Sequence, residues 1–246
     1  MERALTSISD RIATVQAEIA AACHRAGRSP DSVTLVAVSK HQTATAVRDA
    51  VDAGLRHFGE NRLEEAVSKM AEVEKLTGKP VTWHMVGTVQ GRKARYLTGG
   101  FGLFHALGDV KLAERLSRIL VERESHLDVL LEMNVSGETS KQGWDAHGWQ
   151  TNRDLRQSLW DDVARVVALP SLTVRGLMTM APIVDEAERA RPVFVALRDL
   201  RDALAHDFPD SAWADLSMGM TDDYPVAVEE GATYVRIGRA IFGARS

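Results

Sequence analysis

The chain has 246 residues, 45% of them hydrophobic, and a net charge of −4 from 30 Lys+Arg against 34 Asp+Glu. That length supports one large core of α/β-barrel size, and the mild charge without a basic block excludes the electrostatic footprint of a nucleic-acid binder. No apolar run is long enough to span a bilayer, the first 22 residues carry charges throughout and hold no signal-peptide core, and the single cysteine, Cys23, cannot form an internal disulfide, which points to a reducing, cytoplasmic setting.

The first predicted element is an amphipathic helix over about residues 2–26, with Ile8, Ile12, Val15 and Ile19 at helical spacing and Gly27 as its stop. Beyond a loop at Pro30, the run T-L-V-A-V-S at 34–39 is apolar almost throughout, as in a parallel strand covered on both faces. Val47, Ala50 and Val51 mark one side of a helix that Gly54 closes. Strand patterns at 57–59, 82–86, 103–107, 129–135, 173–178, 213–216 and 233–237 then alternate with helix patterns at 63–76, 92–97, 110–123, 155–168, 186–205 and 225–229. With 34–39 the strands number about eight, so the predicted fold is α/β: a single TIM-type (β/α)8 barrel over 1–246, one domain with an additional N-terminal helix. The polar stretch 143–153, which contains Trp144 and Trp149 and leads toward Trp160, reads as a long loop into the fifth helix.

Several chemistries lack their motif. There is no Gly-x-Gly-x-x-Gly turn, no Walker-type loop and no His-Glu-x-x-His helix, and the eight histidines are scattered without ligand spacing, so no metal site is expected. Lys40 stands out by position. It follows the first strand directly, at the end that forms the active-site mouth in a barrel. Apolar walls there disfavour the ammonium form and leave an amine that can attack an aldehyde. The bland alternative is a solvated loop lysine. A second signal comes from L-S-M-G-M-T at 216–221 and V-R-I-G-R at 235–239, at the ends of the seventh and eighth strands. Barrels often bind phosphate there, and Gly219 and Gly238 would let backbone amides approach an anion. Lys40 with such a cradle suggests a phosphorylated aldehyde or ketone. A sugar phosphate on an aldolase lysine and pyridoxal 5′-phosphate both fit these residues.

The set of motifs resembles the pyridoxal phosphate homeostasis protein family. The matching stretches are V-A-V-S-K at 36–40, H-F-G-E-N-R-L-E-E-A at 57–66, W-H-M-V-G-T-V-Q-G-R-K at 83–93, L-L-E-M-N-V-S-G-E-T-S-K-Q-G at 130–143, R-G-L-M-T-M-A-P at 175–182, L-S-M-G-M-T and V-R-I-G-R-A-I-F-G at 235–243. The resemblance implies an alanine racemase-like, fold type III barrel with pyridoxal 5′-phosphate as cofactor. Lys40 would be the Schiff-base lysine. Asn61 and His84 would project toward the cofactor from the second and third strand ends, and Met178 would line its wall. Ser217, Gly238 and Arg239 would belong to the phosphate loops, the last two through their backbone amides, and Arg236 would face the pyridine nitrogen. Glu132 departs from the family pattern, where glutamine is more usual, and the loop 144–153 is longer than typical.

The implied function is intracellular cofactor homeostasis without catalytic residues: a monomer or weak dimer that buffers the free aldehyde and delivers it to apo enzymes that use it. The alternative is an amino-acid racemase, since the family resembles the barrel half of alanine racemase. Racemisation needs acid/base groups on both faces of the cofactor. In the racemases the second is a tyrosine from an added β-domain. This chain is expected to lack that domain, and Tyr96, Tyr224 and Tyr234 are not obviously placed to substitute.

Overall fold

A computed structural model describes residues 7–243. Helix α1, Ile8–Arg25, begins with a capping box in which the Ser7 hydroxyl accepts from the Asp10 amide and the Asp10 carboxylate accepts from the Ser7 amide. Its buried stripe of Ile12, Val15, Ile19, Ala22 and Cys23 follows the helical period and packs against the last helices of the chain. Residues 2–6 of the expected helix lie outside the described residues.

From there strands and crossovers alternate. The strands are β1 Thr34–Val38, β2 His57–Glu60, β3 Thr82–Met85, β4 Phe101–Leu107, β5 Leu127–Asn134, β6 Leu172–Met178, β7 Asp215–Ser217 and β8 Tyr234–Ile237. The helices between and after them are α2 Ala44–Asp52, α3 Leu63–Thr77, α4 Val110–Glu122, α5 Arg153–Val167, α6 Arg191–Asp207, α7 Tyr224–Glu229 and α8 Arg239–Phe242. Every strand pairs in parallel with its sequence neighbour, β4 pairs with β5, and β8 pairs with β1, which closes the barrel. The registers Val36↔Arg236, Gly59↔His84 and Leu177↔Leu216 fix the rows.

Side chains along a strand alternate between faces. Ala37, Phe58, Met85, Phe104 and Val129 are all buried and take the outward turn, toward the helices. His57, His84, His105, Ser217 and Arg236 take the inward turn and meet one another inside the barrel. Between β6 and β7 the backbones come so close that a Cβ on Gly176 (φ +155°) would stand 1.9 Å from the Asp215 carbonyl oxygen, so only glycine fits.

Four details differ from the sequence reading. The third crossover is a 3₁₀ helix, Gly91–Thr98, rather than an α-helix. It connects β3 and β4 with only Ala94 and Leu97 buried, too small an apolar face to support a full α-helix against the barrel. The sixth helix starts later than expected, at Arg191, after a separate 3₁₀ turn at Ala187–Ala190. Trp213, expected inside the seventh strand, precedes it with φ +25°, and its indole N–H donates to the Phe208 carbonyl at 2.9 Å. The stretch read as a polar loop contains a two-residue parallel strand, Trp144–Asp145, paired with Met133 and Asn134. Trp144 and Trp149 are buried there, and this apolar anchoring orders the segment.

Candidate functional site

At the carboxyl end of β1 the chain makes a tight turn. The Gln42 amide donates to the Ser39 carbonyl at 3.0 Å, and His41 sits at φ +63°. The same carbonyl accepts from the Lys69 ammonium at 2.8 Å, and that ammonium pairs at 2.7 Å with the Glu60 carboxylate. The Ser39 hydroxyl donates to the same carboxylate oxygen at 2.7 Å. Glu60 and Ser39 are fully buried and Lys69 is nearly so. Breaking one member of such a buried pair leaves an uncompensated charge, so this cluster holds the turn firmly. Alternation puts Ser39 and Glu60 on the outer face and the next residues, Lys40 and Asn61, on the inner side, at the mouth. Lys40 is half-buried. The Asn61 side-chain oxygen is buried without a hydrogen-bond partner among the described residues. Sequence reasoning missed Glu60 and Lys69. The available signal was a carboxylate inside an otherwise apolar strand, which must find a cation.

The barrel interior holds a continuous polar chain. His57 Nδ1 lies 3.0 Å from His84 Nε2, His84 Nδ1 lies 2.9 Å from His105 Nε2, and His105 Nδ1 lies 2.8 Å from Ser217 Oγ. Arg236 then donates from Nη1 to Ser217 Oγ at 2.6 Å and from Nη2 to the Thr179 carbonyl at 2.9 Å. Tyr234 packs against both rings, tilted at 58° to His84 and edge-to-face at 78° with His105, with ring centroids 5.7 and 5.4 Å away. Burial, and after it the adjoining His57 ring, holds His84 down at about 3; burial, then His84 and the Arg236 cation, holds His105 well below the usual imidazole range; burial alone lowers His57. All three rings are therefore neutral near pH 7. Arg236 is lowered to about 10 by burial, against the opposing pull of Asp223 and Glu132, and stays cationic.

Around this cation stand two carboxyls. Glu132, on β5, is buried. Desolvation raises it, against the lowering fields of Arg236 and Lys141, and its Oε2 has no partner among the described residues. Asp223 is also raised by burial, and it accepts the Met220 amide at 2.6 Å, which folds the loop after β7. In that loop Gly219 has φ +92°, and a Cβ there would come within 2.6 Å of Ala227 Cβ. Its carbonyl accepts the Arg236 amide at 3.0 Å, so loop and β8 are tied together. Beside it, a Cβ on Gly238 would stand 3.3 Å from the Val38 carbonyl oxygen. The first amides of α8 have no acceptor within their own helix.

The structure thus gathers Lys40, Asn61, Gly238 and the Arg236 guanidinium around one end of the barrel. Met178 shares a register row with Glu132 and Ser217 and is buried. Two of the expected site residues are engaged within the barrel interior. Both His84 ring nitrogens are engaged by other histidines in the core, because inward-facing polar groups on a buried strand must pair. The Ser217 hydroxyl likewise faces Arg236 and His105 inside the barrel. The Arg239 side chain turns outward, 65% exposed, and pairs with Asp222 at 2.5 Å. Among the described residues no group of three His, Cys, Asp or Glu side chains is placed to hold a metal ion, and no helix is long and apolar enough to cross a membrane.

Comparison with known proteins places this site in context. The family described as "Alanine racemase, N-terminal domain" matches residues 13–246. The chain is 41% identical over 241 residues to the pyridoxal phosphate homeostasis protein of Pseudomonas aeruginosa, covering 98% of this chain and 97% of that one. It is 37% identical to the protein of the same name from Escherichia coli K12, with 98% of each covered. Among solved structures, PipY of Synechococcus elongatus PCC7942 superposes with a TM-score of 0.83 without PLP (pyridoxal 5′-phosphate), at 35% identity over 96% of this chain and 100% of that one. The form with PLP bound gives 0.81 at 34% identity, with the same coverage. Alanine racemase of Clostridium difficile 630 shares the fold, with a TM-score of 0.68 at 11% identity over 96% of this chain and 56% of that one.

Proposed function

This chain belongs to the family of pyridoxal phosphate homeostasis proteins, and from that premise we propose that it holds pyridoxal 5′-phosphate reversibly as a Schiff base on Lys40, without catalytic turnover. The observation that carries this reading is the mouth itself. Lys40 rides on a turn pinned by the buried Ser39–Glu60–Lys69 cluster, and a buried guanidinium and a glycine-lined loop corner share its end of the barrel. Two buried polar atoms there, Asn61 Oδ1 and Glu132 Oε2, lack partners among the described residues, as expected where a polar ligand completes the site.

Each residue then has a task. Lys40 supplies the amine for the aldehyde. The amides of Gly238 and Arg239 at the start of α8 receive the phosphate. Arg236 faces the ring nitrogen, with Asn61 at the rim and Met178 in the wall. A fixed cation opposite the ring nitrogen would disfavour protonation of that nitrogen and would make the ring a weaker electron sink. No tyrosine is offered to a second face. Tyr234 is turned into the histidine stack, the Tyr224 hydroxyl is bound to Glu18, and Tyr96 is exposed on the 3₁₀ crossover. The role that follows is a carrier, a monomer or weak dimer in the cytoplasm that buffers the cofactor and passes it to apo enzymes.

The test is the visible spectrum of purified protein with added cofactor, before and after borohydride, followed by peptide mapping. Fixation on Lys40 alone is expected, and fixation elsewhere overturns the assignment. Solvent deuterium exchange at the α-carbon of several L-amino acids separates carrier from racemase. Sustained inversion at enzyme-like rates of roughly 1–10³ per second would establish turnover.

A further inference from the structure

The chain of polar groups inside the barrel has one proton per link, and the position of those protons can be worked out. Arg236 has no acceptor, so at its 2.6 Å contact Ser217 Oγ must accept. The Ser217 hydroxyl proton then has one remaining contact among the described residues, His105 Nδ1. If His105 donated there instead, the serine proton would be buried without an acceptor beside a cation, an arrangement both hydrogen bonding and electrostatics disfavour. With Nδ1 accepting, neutral His105 carries its proton on Nε2 and donates to His84 Nδ1. His84 in turn donates from Nε2 to His57 Nδ1. The last proton, on His57 Nε2, is left at the half-buried end of the chain, where water can accept it.

We propose that Ser217, His105, His84 and His57 form a one-way hydrogen-bond relay that positions Arg236, so that its remaining N–H groups point at the ring nitrogen of the bound cofactor. The inference deepens the function proposed above and rests on it for the ligand. Five side chains from five strands act as one unit. The cation sets the direction, and the three rings, each with one donor and one acceptor, pass it along. The Thr179 carbonyl anchors the second guanidinium nitrogen, so rotation of Arg236 would break two bonds at once. Such chains polarise one another, so their members act together more strongly than as separate pairs.

A relay that acts through Arg236 on the ring nitrogen has a signature that a merely structural network lacks. Binding of pyridoxal 5′-phosphate and of its 1-deaza analogue, in which that nitrogen is replaced by CH, is measured on the full chain, on Ser217→Ala and on His105→Phe. Each pair of ligands and variants forms a thermodynamic cycle. The unaltered protein should bind the natural ligand at least about 10-fold tighter than the analogue. Both variants should reduce that preference to within about twofold while the analogue's own affinity holds, since only the nitrogen contact is lost. Equal weakening of both ligands, or an unchanged preference, overturns the relay, and so does an unaltered protein without preference. His105→Asn, which restores an acceptor facing Ser217, should recover part of the preference and replaces the phenylalanine variant if that one does not fold. The proton order is checked without ligand by ¹⁵N NMR of the histidine rings at pH 7. Nε2–H with bare Nδ1 is expected on His57, His84 and His105, and Nδ1–H on any of them overturns the direction. If the unaltered protein shows no saturable binding of the cofactor, the functional reading fails, while the NMR result still decides the relay.

Discussion

The two faces of the barrel strands are built on opposite principles. Outward, Ala37, Phe58, Met85, Phe104 and Val129 meet the helices in an apolar layer with almost no exposure. Inward, beside aliphatic side chains of the usual TIM-barrel kind such as Val36 and Leu103, stand three histidines, a serine and an arginine, with Glu132 next to them. The outer layer is held by area removed from water and tolerates no cavity. The inner layer combines apolar burial at positions such as Val36 and Leu103 with a chain of hydrogen bonds between buried polar groups. The shell also serves the site, because the outward-facing Ser39–Glu60–Lys69 cluster pins the turn that carries Lys40.

Breaking the shell should therefore cost most. Phe104→Ala removes a fully buried ring between strands and helices, and a loss of about 3–5 kcal/mol is expected from denaturant melts. Cofactor affinity per folded molecule should stay unchanged. A large loss of affinity at full folding would erase the division between the two faces.

Acid breaks the interior instead. His84 titrates at about 3 in the folded chain and near 6.5 when unfolded, and His105 and His57 shift in the same direction. Between those limits the unfolded chain binds protons that the folded chain refuses. The stabilisation is complete above pH 6.5 and is lost as the pH falls toward 3. Within that window each strongly shifted ring contributes a slope of up to about 1.4 kcal/mol per pH unit. Melting curves from pH 7 to pH 4 should show this fall, and it should flatten in His84→Gln. An equally steep fall in that variant would place the acid sensitivity elsewhere.

A smaller loss separates linkage from packing within the interior. Ser217→Ala removes one oxygen, and with it the partners of Arg236 Nη1 and His105 Nδ1. The cost in stability should be about 1–3 kcal/mol, that of leaving buried polar groups unpaired. A change below roughly 0.5 kcal/mol would mean that water replaces the hydroxyl and that the interior is wetter than its burial implies.

The two faces also differed in how well they could be read in advance. The apolar runs at β1 and β5, the punctuating glycines and the rhythm of helix and strand carry the barrel, because parallel strands covered on both sides write near-continuous hydrophobic segments. Lys40 was visible for the same reason, as the charged residue that ends the first run. The relay was not. His57, His84 and His105 are 27 and 21 residues apart, one on each of three successive strands. No local spacing marks them, and they meet because the register of three neighbouring strands sets inward-facing positions side by side. The Ser39–Glu60–Lys69 cluster hid in the same way, since its members are neighbours in space and not in sequence. The ordered strand at Trp144 escaped because a two-residue pairing has no period to detect.

The smallest expected effect isolates backbone from side chain at the anion corner. Gly238 and Arg239 are adjacent at the start of α8, and both are proposed to serve a phosphate through their amides. Their side-chain positions differ completely. At Gly238 a Cβ would press against the Val38 carbonyl oxygen at 3.3 Å, so Gly238→Val must push the loop away from β1 and with it the amides. The Arg239 guanidinium points outward to an exposed Asp222. Exposed pairs of this kind add little to stability, and Arg239→Ala leaves the backbone N–H in place at a residue type favourable for the helix. The first substitution should weaken pyridoxal 5′-phosphate far more than unphosphorylated pyridoxal. The second should change neither ligand by more than about twofold, a difference below 0.5 kcal/mol. If Arg239→Ala instead weakens the phosphorylated ligand about tenfold, the guanidinium itself must swing off Asp222 to meet the phosphate. The corner would then be a side-chain site like the interior, and not a backbone site held in place by the shell.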